Sequence, residues 1–235
     1  MTDGTKFRLA DHQPRATSGV GGKAQGRAEV ARLTARLEAL QEKFFADGGS
    51  TRSACTWPRS RRPPRSSSSD FLGRVHPHAP GSGQIAIFDR SHYEDVLIVR
   101  VRRLVPEARW RARYEHIRAV EKMLADEGTI IRKFFLHISE HEQAEGLQAR
   151  IEDPTKQWKF RRGDLEERRL WDDYQQAYED AIRHTATPDA PWIVVPADRK
   201  WHRDLVIGST VVDALDGLDL RYPPAQVDLS DVSVK

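Results

Sequence analysis

Residues 84–93 read Gln-Ile-Ala-Ile-Phe-Asp-Arg-Ser-His-Tyr. Ile85 to Phe88 is a short apolar run of the kind that forms a buried strand, and Asp89 and Arg90 stand where that strand emerges. A carboxylate at the carboxyl end of a parallel strand is where open α/β sheets place their ligand chemistry. An Asp there is a turn or N-cap residue more often than a metal ligand. In folds that handle nucleotides, however, it holds Mg²⁺ beside the phosphates. A second constellation lies downstream, where Arg150, Lys156, Lys159, Arg161, Arg162, Arg168 and Arg169 surround a connection carrying Pro154 and Trp158. Its plainest reading is a solvated charged surface. Guanidinium forks also bind phosphoryl oxygens in pairs, so a basic connection between two helices suits a lid closing over phosphates. The usual third component is missing. Nothing upstream of Asp89 reads as a strand followed by Gly-x-x-x-x-Gly-Lys-Ser/Thr.

The elements that must position these residues follow from periodicity. Residues 1–27 are polar and Gly-rich and are expected to be an extended arm. Residues 28–47 place Val30, Leu33, Leu37, Leu40 and Phe44 at helical spacing, with Gly48-Gly49 as a stop. Residues 48–69 include Arg59-Ser-Arg-Arg-Pro-Pro-Arg-Ser-Ser-Ser-Ser69, which has no periodicity and is expected to be irregular. Order resumes at Asp70. The strand at 85–89 is followed by helix signals from Val96, then a helix over 111–126 stopped by Gly128. Residues 129–138 are β-branched and aromatic and form a second strand. Ser139 with Glu142 resembles a capping box, opening a helix to about Ile151. A helix over 165–183, a strand over 192–196 and a closing helix over 203–218 complete the chain. This alternation predicts a three-layer α/β fold with a parallel sheet.

Composition narrows the classes. The 235 residues are 38% hydrophobic and 31% charged, enough for one sizeable core. A net charge of +3 gives no whole-chain case for DNA or RNA, although the clustered basic residues suit a polyanion. One cysteine, Cys55, rules out a disulfide framework and fits a reducing cytoplasm. No apolar run approaches the ~20 residues of a membrane span, and the first residues lack a signal-peptide core. A cytoplasmic protein is expected.

Four patterns have plainer readings. Gly19-Val-Gly-Gly-Lys23 follows no strand and is not a phosphate loop. His137-Ile-Ser-Glu140-His141 matches a zinc pattern that needs both histidines on one helix, but His137 ends a strand. His76-Pro-His78 is a loop feature, and Arg59 to Arg65 a solvated basic run.

Six motifs occur in order: Phe88-Asp-Arg-Ser-His-Tyr-Glu-Asp95, Phe134-Phe-Leu-His-Ile-Ser139, Asp153-Pro-x-Lys156-x-Trp-Lys159, Trp171-Asp-Asp-Tyr174, Ala190-Pro-Trp192 and Pro196-Ala-Asp-Arg-Lys-Trp201. Together they resemble the polyphosphate kinase 2 family, in its branch of polyphosphate:nucleotide phosphotransferases, over about residues 70–222. The resemblance implies a P-loop kinase fold, Mg²⁺, and phosphoryl transfer between inorganic polyphosphate and a nucleoside mono- or diphosphate. Asp89 matches the family's second Walker carboxylate, holding the metal, and Arg90 the adjacent phosphate-binding arginine. Arg150, Lys156, Lys159 and Arg168 fall in its basic lid, about residues 149–174. Glu94-Asp95 stands where other branches carry Asn-Arg, so their nucleotide preference does not carry over.

The departure lies between the N-terminal helix and Asp70. The family places there a strand, a loop of the form Gly-x-Asp-x-x-Gly-Lys, its helix and a further strand, which need about 30 residues. Residues 48–69 are too few, and their composition reads as a deletion with a shifted reading frame. The expected fold is therefore incomplete at its first strand and phosphate loop, with a tail over 223–235. Without the loop's amide nest and lysine, the alternative is a catalytically inactive remnant that binds polyanions or joins intact homologues, and self-association stays open.

Overall fold

The computed structural model describes residues 6–47, 53–57, 75–88, 91–225, 227 and 233. Four strands, β1 Ser53–Trp57, β2 Ile85–Ile87, β3 Thr129–His137 and β4 Trp192–Pro196, form a parallel sheet in the order β2-β1-β3-β4. Parallel neighbours need crossovers, and helices supply them. Helices α1 Lys23–Ala46 and α7 Lys200–Asp216 cover one face. Helices α2 Ile98–Val101, α3 Glu107–Asp126 and α6 Trp171–Thr185 cover the other. The three-layer parallel α/β architecture is therefore as the alternation predicts.

Each layer has its own core. Leu33, Leu40 and Phe44 of α1 meet Leu205, Val212 and Leu215 of α7, with Ile85 of β2 packed against them. On the opposite face Phe135 and Trp192 pack with Tyr93, Tyr114, Ile117, Tyr178 and Ile182. Residues 129, 131, 133, 135 and 137 of β3 share one face by the period of two, and all five are buried. Of these, Ile131 and Phe135 are apolar and contribute roughly 1.5–3 kcal/mol each by burial, whereas Lys133 needs a partner to be buried at all.

Helix α1 begins at Lys23, ahead of the expected start. Gly26 explains the extension, because a Cβ there would lie 2.2 Å from Cε3 of Trp201. Only glycine lets the first turns of α1 and α7 approach so closely. At the other end of α3, Gly128 adopts φ +86° and ends the helix as expected. Helix α4, Glu140–Glu152, starts as the capping signal predicts, with Ser139 Oγ accepting from the Glu142 N–H at 3.1 Å.

Three expectations are corrected. The first concerns residues 48–69, where Ser53–Trp57 forms β1, so the first strand is present. It is an inner strand, pairing Ala54 with Ile85 on one side and Ser53 to Trp57 with Thr129 to Lys133 on the other. Ladder bonds on both edges hold a stretch that carries no long apolar run, which is why periodicity missed it. The remainder of 48–69 lies outside the described residues.

The second correction concerns the N-terminal arm, which is docked on the body. Phe7 and Leu9 are buried in the larger core. Leu9 N–H donates to Glu179 Oε2 at 2.7 Å, Arg183 Nε to the Phe7 carbonyl at 2.7 Å, and Asp198 N–H to the Pro14 carbonyl at 3.2 Å. Isolated apolar residues among polar ones make no period, so docking of the arm is not legible from spacing.

The third is the helix expected over 165–183, which is broken into α5, Gly163–Arg168, and α6. A tight turn, with Leu170 N–H donating to the Glu167 carbonyl, joins them. Such a turn preserves helix-like spacing of apolar residues, so the break leaves no mark on the pattern. Among the described residues, no helix is long and apolar enough to cross a membrane.

Candidate active site at the carboxyl edge of the sheet

Parallel strands deliver their carboxyl ends to one edge, and here these ends are Trp57, Ile87, His137 and Pro196. Asp89 and Arg90 lie outside the described residues. The next described residue is Ser91, whose Oγ accepts from the Tyr93 N–H at 3.3 Å and opens a short 3-10 turn, His92–Asp95.

That turn is fixed from behind by a buried charge network. Lys133 Nζ, on β3, donates to Glu121 Oε2 at 2.7 Å, to the Thr185 carbonyl at 2.7 Å and to Tyr93 Oη at 3.0 Å. Tyr93 Oη donates in turn to Glu121 Oε1 at 2.8 Å, and His92 Nε2 lies 3.7 Å from the same oxygen. Trp192 closes the cage, its Nε1–H donating to Thr185 Oγ1 at 2.9 Å and its ring lying 5.3 Å from Lys133 Nζ. Burial pushes the Glu121 carboxyl upward, but Lys133 and His92 outweigh it and hold it below its ordinary range. Burial pulls Lys133 down against the attraction of Glu121 and drives Tyr93 well up. The network anchors the segment that follows Arg90. Sequence reasoning missed it, although Lys133 sits in the inward period of β3 and Glu121 lies one turn beyond Ile117 and two beyond Tyr114 on α3.

Two clasps organise the edge beside it. Asp198 Oδ1 accepts from the Ser139 N–H at 2.7 Å, tying the exits of β3 and β4 together. His137 Nε2 lies 3.0 Å from the His12 carbonyl, which binds the arm across the same edge. His141 is instead exposed on α4 and faces Glu145 at 3.6 Å. The two histidines do not converge.

The segment expected to form a lid comprises α4, a 3-10 turn at Gln157–Lys159, α5 and the start of α6. It brings the four expected lid residues into one module with different surroundings. Arg150 Nη1 lies 3.8 Å from Asp164 Oδ2. Arg168 Nη1 donates to the Glu140 carbonyl at 2.8 Å and Gln143 Oε1 at 2.9 Å, so it links α5 to the start of α4. Lys156 binds Asp153, and this holds the Asp153 carboxyl down at about 2. Lys159 Nζ stands 5.1 Å from the Trp158 ring. Glu167 is gripped from the body by Arg102 at 2.6 Å and by Tyr174 Oη at 2.6 Å. Burial and that carboxylate push the Tyr174 hydroxyl up. Arg161, Arg162 and Arg169 are exposed and make no ion pair among the described residues. In the sequence these three stand out only as part of the basic cluster.

A family model described as Polyphosphate kinase 2 matches residues 58–222. The chain is similar to the AMP/ADP-polyphosphate phosphotransferase of Meiothermus ruber, with 45% identity over 249 residues, covering 93% of this chain and 92% of that protein. It is 43% identical over 166 residues to the ADP-polyphosphate phosphotransferase of Rhodopseudomonas palustris, covering 66% of this chain and 57% of that protein. Among solved structures, polyphosphate kinase 2 from Arthrobacter aurescens TC1 matches with a TM-score of 0.89 and 39% identity, over 95% of this chain and 90% of that one.

Proposed function

The chain belongs to the polyphosphate kinase 2 family, and on that premise we propose that it moves a phosphoryl group between inorganic polyphosphate and a nucleoside mono- or diphosphate. The observation that carries this reading is the position of the basic lid. Helix α4 leaves the carboxyl end of β3 directly and the lid returns into α6, so residues 150–169 are tethered at the edge where α/β sheets bind ligands. Transfer between two polyanions asks for positioning and charge neutralisation and needs no covalent nucleophile. Arg150, Lys156, Lys159 and Arg168 supply or support the lid's positive field, and Arg90 serves a phosphate near the transfer point. The names of the relatives make AMP and ADP the first acceptors to test.

A divalent cation, Mg²⁺ in this proposal, would bridge phosphate oxygens and offset their charge. Among the described residues no group of three or more His, Cys, Asp or Glu side chains gathers to hold a metal. Mg²⁺ keeps waters and phosphate oxygens and needs only one or two carboxylates, so the fit rests on Asp89.

One observation favours a second reading, the inactive polyanion-binding remnant. Residues 58–74, which follow the inner strand β1, contain no lysine and only Gly73 as glycine. The test is ATP formation from ADP, polyphosphate and Mg²⁺, with Asp89→Ala alongside. Turnover that the variant abolishes establishes the transferase. No turnover, with polyphosphate still bound, leaves the remnant.

A further inference from the structure

Arg103 holds a left-handed backbone, with φ at +52°, just past the end of α2. Its N–H donates to the Arg100 carbonyl at 3.0 Å, and the Leu104 N–H donates to the Val99 carbonyl at 2.9 Å. These are the paired bonds that close a helix on a left-handed residue. Glycine suits that position best, because it has no Cβ to strain. A long side chain there costs stability and needs a reason beyond the backbone. No carboxylate supplies one, since Arg103 is exposed and makes no ion pair among the described residues. Arg103 does line an open cleft of about 750 Å³ between the end of α2, the start of α3 and the first turns of α6.

The other groups of the cleft narrow its occupant. Leu104, Val105 and Pro106 give it an apolar side together with Trp110. Two of its charges are already satisfied. Arg100 pairs with Asp180 at 2.8 Å and stands 4.7 Å from the Trp110 ring, and Glu107 holds Arg111 at 2.6 Å. Asp173, in the first turn of α6, lines the cleft, is exposed and has no ion pair among the described residues. The cleft therefore offers an uncommitted cation, an uncommitted carboxylate and an apolar side. A nucleoside phosphate answers all three, with phosphoryl oxygens for the guanidinium, ribose hydroxyls for the carboxylate and a base for the apolar side. Inorganic polyphosphate has neither hydroxyls on a sugar nor an apolar part, and Asp173 repels it. We infer that this cleft binds a nucleoside phosphate through Arg103 and Asp173, apart from the carboxyl edge. None of its lining residues belongs to a strand end or to the basic stretch 150–169. Arg102, next in sequence, grips Glu167 at 2.6 Å, so an occupied cleft abuts the root of the lid.

Calorimetric titration without turnover tests this, in a chain whose proposed transfer site is disabled by Asp89→Ala and Arg90→Ala. ADP should still bind this background, and adding Arg103→Gly should weaken it about 10- to 100-fold, the loss expected for charge-assisted bonds to phosphate. The same replacement should raise the melting temperature of the free protein by about 1–4 °C, because glycine relieves the left-handed backbone. Asp173→Asn should weaken ADP and leave inorganic triphosphate, which has no ribose, unaffected. A background that binds no ADP overturns the inference, as does ADP affinity untouched by Arg103→Gly or by Asp173→Asn. A lower melting temperature in Arg103→Gly overturns it too, since the side chain would then serve the fold. Triphosphate bound as tightly as ADP would reduce the cleft to a plain anion site and sink the nucleotide assignment. The transferase reading stands or falls separately, on ATP formation by the unaltered chain.

Discussion

Lys133 Nζ stands 2.7 Å from Glu121 Oε2, and neither side chain reaches solvent. The pair joins a sheet strand to a helix and carries the segment behind Arg90 on the Tyr93 hydroxyl. Removing one member leaves the other charged and buried, which costs about 3–5 kcal/mol. Glu121→Gln should therefore lower the denaturant midpoint far more than the double replacement Glu121→Leu with Lys133→Met. Urea unfolding of the three variants checks this. A double mutant less stable than the single would refute it.

The same pair fixes a pH dependence. The Glu121 carboxyl is held below its ordinary value of 4.5 in the folded state. A depressed carboxylate contributes stability that is fully present above the unfolded value and is lost as pH falls through the folded one. Stability should be flat in this term above about pH 5 and should fall as acid is added below 4.5. In the double replacement that acid limb should be shallower. Midpoints measured across this range decide the point.

The arm predicts a cost that a loose tail would not have. Phe7 is 3% exposed and shares a cluster with Trp110, Tyr178 and Ile182. Phe7→Ala should destabilise by about 3–5 kcal/mol, the cost of emptying a core aromatic site. Thermal unfolding gives the answer, and a change under about 1 kcal/mol would mean that the arm is not docked in solution.

Gly26 predicts the opposite kind of damage. A single added methyl meets the Trp201 ring at 2.2 Å, too close for any real contact. Gly26→Ala normally favours a helix, but here it should destabilise by about 1–3 kcal/mol through overpacking. A stabilised Gly26→Ala variant would show that α1 and α7 do not cross at this point.

The lid predicts a salt-sensitive interaction. Lys156→Ala with Lys159→Ala should weaken polyphosphate binding, and the remaining affinity should fall less steeply with salt than that of wild type. The reason is screening, since the Debye length shrinks from about 10 Å at 0.1 M to about 3 Å at 1 M. Titrations at several salt concentrations test it, and unchanged binding in the double variant would remove these lysines from the site.

How far the sequence could be read depended on how local each signal was. Ser139 announced its helix through a cap whose partner is three residues away, and β3 announced itself through consecutive β-branched and aromatic residues. Helix α1 was visible in Leu33, Leu37 and Leu40, but its start was not, because Gly26 makes sense only beside Trp201. Ser53–Trp57 was illegible as a strand because its neighbours, Ile85 to Ile87 and Thr129 to Lys133, are distant in sequence. For the site, composition marks only a basic cluster from Arg150 to Arg169, within which the family resemblance singles out Arg150, Lys156, Lys159 and Arg168. It could not show that Arg168 would reach Glu140, or that Asp153 would engage Lys156 and leave Trp158 to face outward. The network of Lys133, Glu121 and Tyr93 was hidden for the same reason, since a charged residue on an apolar stripe gains its meaning from a partner on another element.

The seating of α1 against α7 sets an order of events during synthesis. The helix made first takes as its main partner the helix made last, with about 150 residues between them. At roughly 5–20 residues per second, Leu33, Leu40 and Phe44 spend on the order of ten seconds outside the ribosome before Leu205, Val212 and Leu215 exist to cover them. During that interval β1 to β3 and the far layer can begin to assemble, while α1 remains a greasy amphipathic segment without its main partner. Ribosome-bound chaperones would meet it there, and a chain cut short before α7 would carry that exposed stripe permanently.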